Sequence, residues 1–449
     1  MIVAISVLVV FLSLPYWLPR TVVALRVWIF ARVNGAEGIT VPGGRLGPSR
    51  FMELYSHPAA NGRSKGAALS DLFWYWLSPG PELHQEHLEP GPRYEEVARC
   101  TRRILRMPSR TADDLAVRSV EAALPGRIGL VRLRDLVMPV WADLYYRVVF
   151  GRECPEQVRR MIVANADDVV TALKCSGLRH MRRRLRLTDH LESVLDEVPH
   201  ELPGPFSRRE RALYLHGTFF TTAVVQSSEA TAHVLMMLAR HREIQEQAVT
   251  DEKLLAHVIE ETFRIFPLFG IAHRVTSADI TLDDPTIPVI PAGSVLCFDY
   301  LRYQRSGYPD PDTFDPWREE RPTYIPFGVA ANRPCPAWHL APLTVQGVVR
   351  ELLGRYAFAT SAGHTRSLPN RGPCLVTPRA ASPSRPRPAL MAAMRVRDRW
   401  EDVGRSVVQL FLGTFMVWHA RRLRLCARYF AAEESRAQPA GRPAGRPAG

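Results

Sequence analysis

The run Pro326-Phe327-Gly328-Val329-Ala330-Ala331-Asn332-Arg333-Pro334-Cys335-Pro336 holds the residues best placed to do chemistry. A loop opening on Pro-Phe-Gly leads to a cysteine with an arginine two positions before it. Pro336 suits the first turn of a helix, where a missing N–H costs nothing, and a helix-like run from Leu340 to Leu353 follows, with Pro342 awkward near its start. A thiol at a helix N-terminus has a lowered pKa and becomes a competent ligand. A cysteine thiolate is one of the few axial ligands that proteins give to haem iron. A lone cysteine is as readily a buried structural residue, so the loop by itself leaves both readings open.

Two upstream motifs bear on that choice. Glu261-Thr262-Phe263-Arg264 sits in a strong helical pattern that Thr250 or Asp251 can cap and Pro267 ends. Its acid and base, three apart, share one helix face. The pair by itself could be an ordinary surface ion pair. Further on, the proline-rich stretch Tyr308 to Arg318 ends in a second arginine, which could complete a buried Glu-Arg-Arg cluster. Such charges are tolerated inside a protein only when they pair and hydrogen-bond with one another.

The order and spacing of these motifs resemble the cytochrome P-450 family, the haem-thiolate monooxygenases. The similarity is clear from about Arg211 to Phe358 and faint before it. The resemblance implies a mainly α fold with small β-sheets and one haem b. It makes Cys335 the proximal iron ligand and places Arg333 and Arg274 at the haem propionates. Phe327 opens the cysteine loop, against the haem. Glu261, Arg264 and Arg318 become a structural triad beneath the cofactor, and Ile290 to Val295 the family's strand-turn element. The apolar stretch after the Glu-x-x-Arg helix, with Leu268, Phe269 and Ile271, corresponds to the substrate pocket.

The chain departs from the family pattern in two places. The cysteine loop is one residue longer than usual, and Ala331 and Ala337 stand where the family has glycine. Alanine in a left-handed conformation costs about 1–2 kcal/mol, so the loop must take another path. In the long helix expected from about Glu210 to Arg240, Gly217 is the weak point. The family's acid–alcohol pair, which delivers protons to iron-bound dioxygen, falls on Val225 and Gln226, with Ser227 next to them. A glutamine cannot act as an acid near neutral pH, which leaves Gln226 and Ser227 as the candidate catalytic residues, with Ser227 and water as the relay. Ordinary helix polarity is the alternative for both.

The remaining sequence must position and locate this site. An apolar fraction of 46% over 449 residues is ample for a large core. The formal charge of +13 would suit nucleic acid, but the chain has no zinc spacing, RNA-binding signature or aromatic-interleaved basic patch. A membrane-facing or redox-partner surface accounts for the charge better. Ile2 to Leu18 is apolar and uncharged, and it reads as an N-terminal membrane helix in preference to a signal peptide. Arg20, Arg26 and Arg32 put the body on the cytoplasmic side, and Val22 to Val33 suits an interfacial helix. The seven scattered cysteines fit a reducing compartment.

Three regions follow: residues 1–35 as membrane anchor and interfacial helix, 36–380 as the haem domain, and 381–449 as a basic extension. In the extension an amphipathic helix, apolar from Val407 to Trp418, precedes a disordered Gly-Arg-Pro-Ala repeat. The aromatics Phe73 to Trp76 belong to a pocket loop or to the core. His84 and His87 lack a third metal ligand nearby. Arg99, Arg102 and Arg103 are further candidates for a propionate.

The expected function is oxidation of a hydrophobic small molecule, in secondary or lipid metabolism. Electrons would come from an external ferredoxin or flavoprotein reductase, since no flavin or nicotinamide motif is present. Val225 and Gln226 raise an isomerase or peroxygenase as the alternative. The altered cysteine loop and the extra C-terminal helix raise a non-catalytic haem or membrane scaffold.

Overall fold

A computed structural model of the chain describes residues 2–34, 38–44, 46–124, 129–362, 373–381 and 388–437. The Gly-Arg-Pro-Ala repeat and most of the linker before residue 388 lie outside the described residues. The front half carries α1 (Ile2–Asn34), β1 (Ile39–Val41), α2 (Ser49–Tyr55), α3 (Ala68–Leu77), α4 (Pro92–Leu105) and α5 (Ser109–Ala123). Next come β2 (Leu130–Val131), α6 (Leu133–Phe150), α7 (Glu156–Leu173), α8 (Met181–Ser193), α9 (Arg208–Leu215) and α10 (Val224–Arg240). They are followed by α11 (Arg242–Gln247), α12 (Glu252–Ile265), β3 (Ile271–Val275), β4 (Val295–Asp299) and α13 (Tyr300–Ser306). The chain continues through α14 (Leu340–Arg355), β5 (Tyr356–Thr360), β6 (Cys374–Pro378), α15 (Pro388–Leu423) and α16 (Leu425–Ala437).

The described residues are mainly helical, as expected, with two small sheets. One sheet has the order β1-β4-β3, with β1 parallel and β3 antiparallel to β4. The other is antiparallel, with the order β2-β6-β5. The strand-turn element behaves as read: Gly293 takes a left-handed φ of 81° and β4 begins two residues later, a conformation that glycine adopts without a Cβ penalty.

The core is a helical bundle in which α10 packs on α6, and α14 packs on α5. Most of α6 is buried, and Trp141 Nε1 donates to Thr231 Oγ1 of α10 at 3.0 Å. The long helix is continuous from Arg208 to Arg240. Its start is fixed by a capping box, in which Ser207 accepts from the Glu210 amide and Glu210 accepts from the Ser207 amide. From His216 to Ala223 it widens into a π-helix, at the glycine that weakens it. Buried side chains satisfy the altered backbone there. Asn165 Nδ2 donates to the Phe220 carbonyl and to Thr221 Oγ1, and His216 bridges Asn165 and Thr188 at 3.0 and 2.7 Å. Burial holds His216 neutral, with its pKa lowered to about 3.

The two ends of the chain differ from expectation. α1 runs unbroken through Pro15 and Pro19 to Asn34, so there is no separate interfacial helix. The C-terminal helix is 36 residues long rather than the dozen that hydropathy marked, and it runs beside α1 in the same direction. Phe11 meets Trp400 with ring centroids 4.6 Å apart, and Arg26 donates to Gln409 at 3.2 Å. The aromatic run of α3 is core to this extension. Tyr75 contacts His419, and Trp74 contacts Tyr429 and Phe430.

Candidate active site

Cys335 lies on the wall of a cleft of about 1100 Å³, counting space open to solvent. The residues leading to it form a tight hairpin, with a bridge between Val329 and Asn332 and the Cys335 amide donating to the Phe327 carbonyl at 3.1 Å. The two alanines do not carry the strain expected of them. The left-handed positions are Gly328 (φ 74°) and, unusually, Arg333 (φ 51°). Asn332 fixes this path, its Nδ2 donating to the carbonyls of Tyr55 and Ala60, each at 2.7 Å.

Cys335 is not at a helix N-terminus. Residues 336–339 are turns, and α14 starts only at Leu340. Burial pushes the thiol up to about 11, against the lowering effect of the Ala337 N–H. The protein alone therefore does not ionise Cys335. A bound cation would, since a coordinating thiol is deprotonated by its metal.

Beneath the loop, Glu261 and Arg264 are fully buried and doubly bonded, at 2.7 and 2.8 Å. Arg264 also donates to the Pro311 and Thr313 carbonyls, and Arg318 Nε reaches Glu261 at 3.5 Å. Arg321 stands 3.6 Å from the other Glu261 oxygen, a fourth charge that the motif reading omits. All of these side chains meet segments far apart in sequence, which makes the cluster a clamp on the 308–321 stretch rather than a surface pair.

A second buried charge cluster borders the cleft. Glu86 accepts from Arg63 at 3.2 Å and from Arg274 at 2.8 Å. Burial opposes ionisation of Glu86, but Arg274, Arg63 and Arg333 outweigh it and hold the pKa down to about 2. Arg333 makes no ion pair among the described residues. Its guanidinium donates to the carbonyls of Asn61, Gln85 and Leu88 and stacks on Tyr94, so it ties the loop before α4 to the cysteine hairpin. The Arg274 Nε is buried without a partner. Arg63, 3% exposed, was not singled out from sequence because no motif surrounds it. Arg99, Arg102 and Arg103 of α4 instead point to solvent, and Thr101 of that helix lines the cleft.

The long helix supplies another wall, with Thr218, Phe219, Thr222, Ala223, Gln226, Ser227 and Ala230. Both predicted polar residues, Gln226 and Ser227, therefore border the cleft. Ser227 hydrogen-bonds Tyr145 of α6 at 3.0 Å, a partner from a helix with no recognised motif. Leu268, Phe269 and Phe327 also line the cleft. Ile271 does not. It is 49% exposed at the outer end of β3, where strand alternation turns it away from the side occupied by the buried Ala272. His84 lines the cleft as a neutral residue, lowered to about 4 by burial, and His84 and His87 find no third ligand among the described residues.

Residues 207–382 match the family model described as Cytochrome P450. Among curated proteins, (1S)-1-hydroxy-luvungin A synthase of Citrus sinensis is 32% identical over 116 residues, 24% of this chain and 23% of that protein. Cyclooctat-9-en-7-ol 5-monooxygenase of Streptomyces melanosporofaciens is 29% identical over 143 residues, 25% of this chain and 30% of that protein. These matches span less than a third of either relative's length. The fold extends the likeness. P450BioI, solved with an acyl carrier protein bearing hexadec-9Z-enoic acid, superposes with a TM-score of 0.59 at 16% identity, covering 76% of this chain and 92% of that one. A zebrafish cytochrome P450 solved with abiraterone gives 0.57 at 17%, covering 74% and 91%.

Haem b is the group that this fold holds, and the residues present fit it. Cys335 offers a thiol to the cleft. Next to the same cleft are three buried guanidiniums, for which Glu86 is the one ion-pairing carboxylate among the described residues, and the Arg274 Nε lacks an acceptor. A ligand carrying two carboxylates answers that surplus of positive charge and unmet donor capacity.

Proposed function

We propose that this cytochrome P450, whose family pattern covers residues 207–382 and whose fold covers three quarters of the chain, is a monooxygenase that hydroxylates a hydrophobic small molecule. The observation that carries the reading is Cys335 sharing one cleft with Gln226 and Ser227, over a buried Glu261–Arg264 clamp. When bound, haem ligated by a thiolate supplies dioxygen activation, the ligand pushing electron density toward O–O cleavage. Cys335 would hold the iron, and Arg333, which lines the cleft, and Arg274, with Arg63 beside it, the propionates. Arg333 would also tie the cysteine hairpin to the loop before α4.

Leu268, Phe269 and Phe219 give an apolar wall that binds and orients the substrate and excludes water. The named relatives are a cyclooctat-9-en-7-ol 5-monooxygenase and a (1S)-1-hydroxy-luvungin A synthase, and the apolar wall is in keeping with a terpenoid or lipid-like substrate. Ser227 can pass a proton through its hydroxyl, with Tyr145 as its buried neighbour. Gln226 can hold a water but not ionise. Electrons come from an external ferredoxin or flavoprotein reductase. The chain associates with the membrane through α1, in which the most apolar 18-residue segment within Ile2–Ile29 has a mean hydropathy of 2.1, with the body on the cytoplasmic side.

The test is the reduced, carbon-monoxide-treated spectrum of wild type and Cys335→Ser, followed by turnover with a ferredoxin couple. A strongly red-shifted Soret band in wild type alone, with donor-dependent hydroxylation, is the expected result. A band that survives the substitution removes Cys335 from the iron. Val225 at the acid position favours a second reading, a peroxygenase or isomerase. Product formation without any electron donor would select it.

A further inference from the structure

By itself α1 suits a membrane span. Ile2–Ile29 is 28 residues long and almost wholly exposed, about 42 Å of helix against a hydrocarbon layer of roughly 30 Å. Its neighbour does not suit one. α15 lies beside α1 with the same direction, and the contacts fix the register: Phe11 on Trp400, the Tyr16 hydroxyl accepting from Arg399 at 3.1 Å, and Arg26 donating to Gln409. The charged first half of α15, Arg395, Arg397, Asp398, Arg399, Glu401, Asp402 and Arg405, thus lies along the middle of the apolar run. This half is also tied to the globular body, because Glu401 pairs with Arg132 at 2.9 Å. A crossing that put Ile2–Ile29 through hydrocarbon would carry these charges and the adjoining body with it. Each charge at the bilayer centre costs about 2.5–3.5 kcal/mol even on the most lenient scale.

We infer that α1 and α15 together form an in-plane binding surface for an anionic lipid bilayer, and that α1 lies in one leaflet rather than crossing the membrane. The outward face of α15 has the required chemistry. Val396, Val407, Phe411, Phe415 and Trp418 are 58%, 40%, 69%, 44% and 53% exposed, and their spacing places them on one side of the helix. Met416, Val417 and Ala420 face the other way and pack with Leu72, Tyr75 and Cys175 of the body. The apolar stripe of α15 thus extends the exposed apolar surface of α1. The two helices carry nine arginines and three acidic residues, which complement anionic headgroups at about 1 kcal/mol for each basic group near the surface. An amphipathic pair of this kind buries its apolar face at the headgroup boundary. The inference rests on the two helices alone and stands whatever reaction the cleft performs.

The test uses the full haem-loaded chain with vesicles of phosphatidylcholine, alone or with an equal part of phosphatidylglycerol. Binding should be about 10-fold or more tighter to the anionic vesicles and weaken with salt. Phe411→Glu/Phe415→Glu should lower vesicle binding by about 10-fold or more while leaving the haem spectrum unchanged. A Phe11→Cys/Trp400→Cys pair, oxidised to join the helices, should bind as well as its reduced form. Loss of binding on oxidation would overturn the inference, because a spanning α1 must part from α15. So would binding of the double glutamate variant at the wild-type level. Should either variant misfold, quenching of the unaltered chain's tryptophans by bromine placed along the lipid chains decides. Quenching strongest near the headgroups supports the in-plane surface, and quenching strongest at the bilayer midplane refutes it.

Discussion

The hydroxyls of Tyr145 and Ser227 lie 3.0 Å apart in the buried seam between α6 and α10. Burial, only partly offset by Ser227, pushes the phenol up to about 12, so Tyr145 stays protonated and can donate to Ser227. The pair gives the long helix a polar point where the family's acid–alcohol motif is replaced by Val225 and Gln226. Ser227→Ala should reduce donor-dependent turnover by about 100-fold, a typical share for a positioned proton-transfer group, with the carbon monoxide spectrum unchanged. Tyr145→Phe should have a smaller effect and should alter the solvent isotope effect, which a purely structural role would leave alone. Unchanged turnover in Ser227→Ala would remove it from the relay.

The Glu86 carboxylate sets an acid limit on stability. Its folded pKa of about 2 lies below the ordinary 4.5, so its contribution is present above the unfolded value and is lost as pH falls from about 4.5 toward 2. Chemical denaturation of wild type across that window should show a loss on the order of 2–3 kcal/mol from this group. In Glu86→Gln the acid limb should be shallower by that amount.

Breaking the clamp on the 308–321 stretch should be severe. Glu261→Gln leaves Arg264 buried without a counter-charge, a change that costs about 3–5 kcal/mol. Thermal unfolding should detect it, together with faster haem loss to an apoglobin acceptor. Arg264→Lys should rescue little, because an ammonium cannot reproduce the two-pronged contact with Glu261 and still reach the Pro311 and Thr313 carbonyls.

Gly328→Ala tests the route of the cysteine hairpin. A side chain at φ 74° is strained, and its Cβ would come within 3.3 Å of the Tyr55 hydroxyl. A loss of about 1–2 kcal/mol in stability and weaker haem retention are expected. Ala331→Gly, at a position without positive φ, should bring no gain, which distinguishes this loop from one that follows the usual glycine pattern.

Much of the site's frame was legible because its parts are local. The Glu-x-x-Arg pair and the Ile290–Val295 turn are short motifs whose spacing carries their geometry, whereas the path of the cysteine hairpin, with Arg333 left-handed and α14 starting only at Leu340, was not legible. Parts assembled across the chain were not. Arg63, Glu86 and Arg274 meet from three distant segments, and no pattern in sequence joins them. Arg99, Arg102 and Arg103 offered an equally basic choice but occupy the solvent face of an amphipathic helix. The pairing of α1 with α15 was hidden because hydropathy scores each helix alone, and Arg399 beside Tyr16 becomes visible only when the two lie side by side. Ile271 was carried into the pocket with its neighbours, although strand alternation sends it outward.

The π-helical stretch His216–Ala223 has a consequence for how this chain is compared with any other. A π turn holds more residues than an α turn, so the helix acts as a frameshift in three dimensions. Counting back from Arg240 and counting forward from Ser207 give different answers about which side chains look into the cleft. The count from the C-terminal end selects Gln226 and Ser227, the count from the other end the turn holding Thr222, and the π-helical widening brings residues of both turns to the cleft. An alignment that assumes one unbroken period from end to end would transfer a catalytic role to the wrong face.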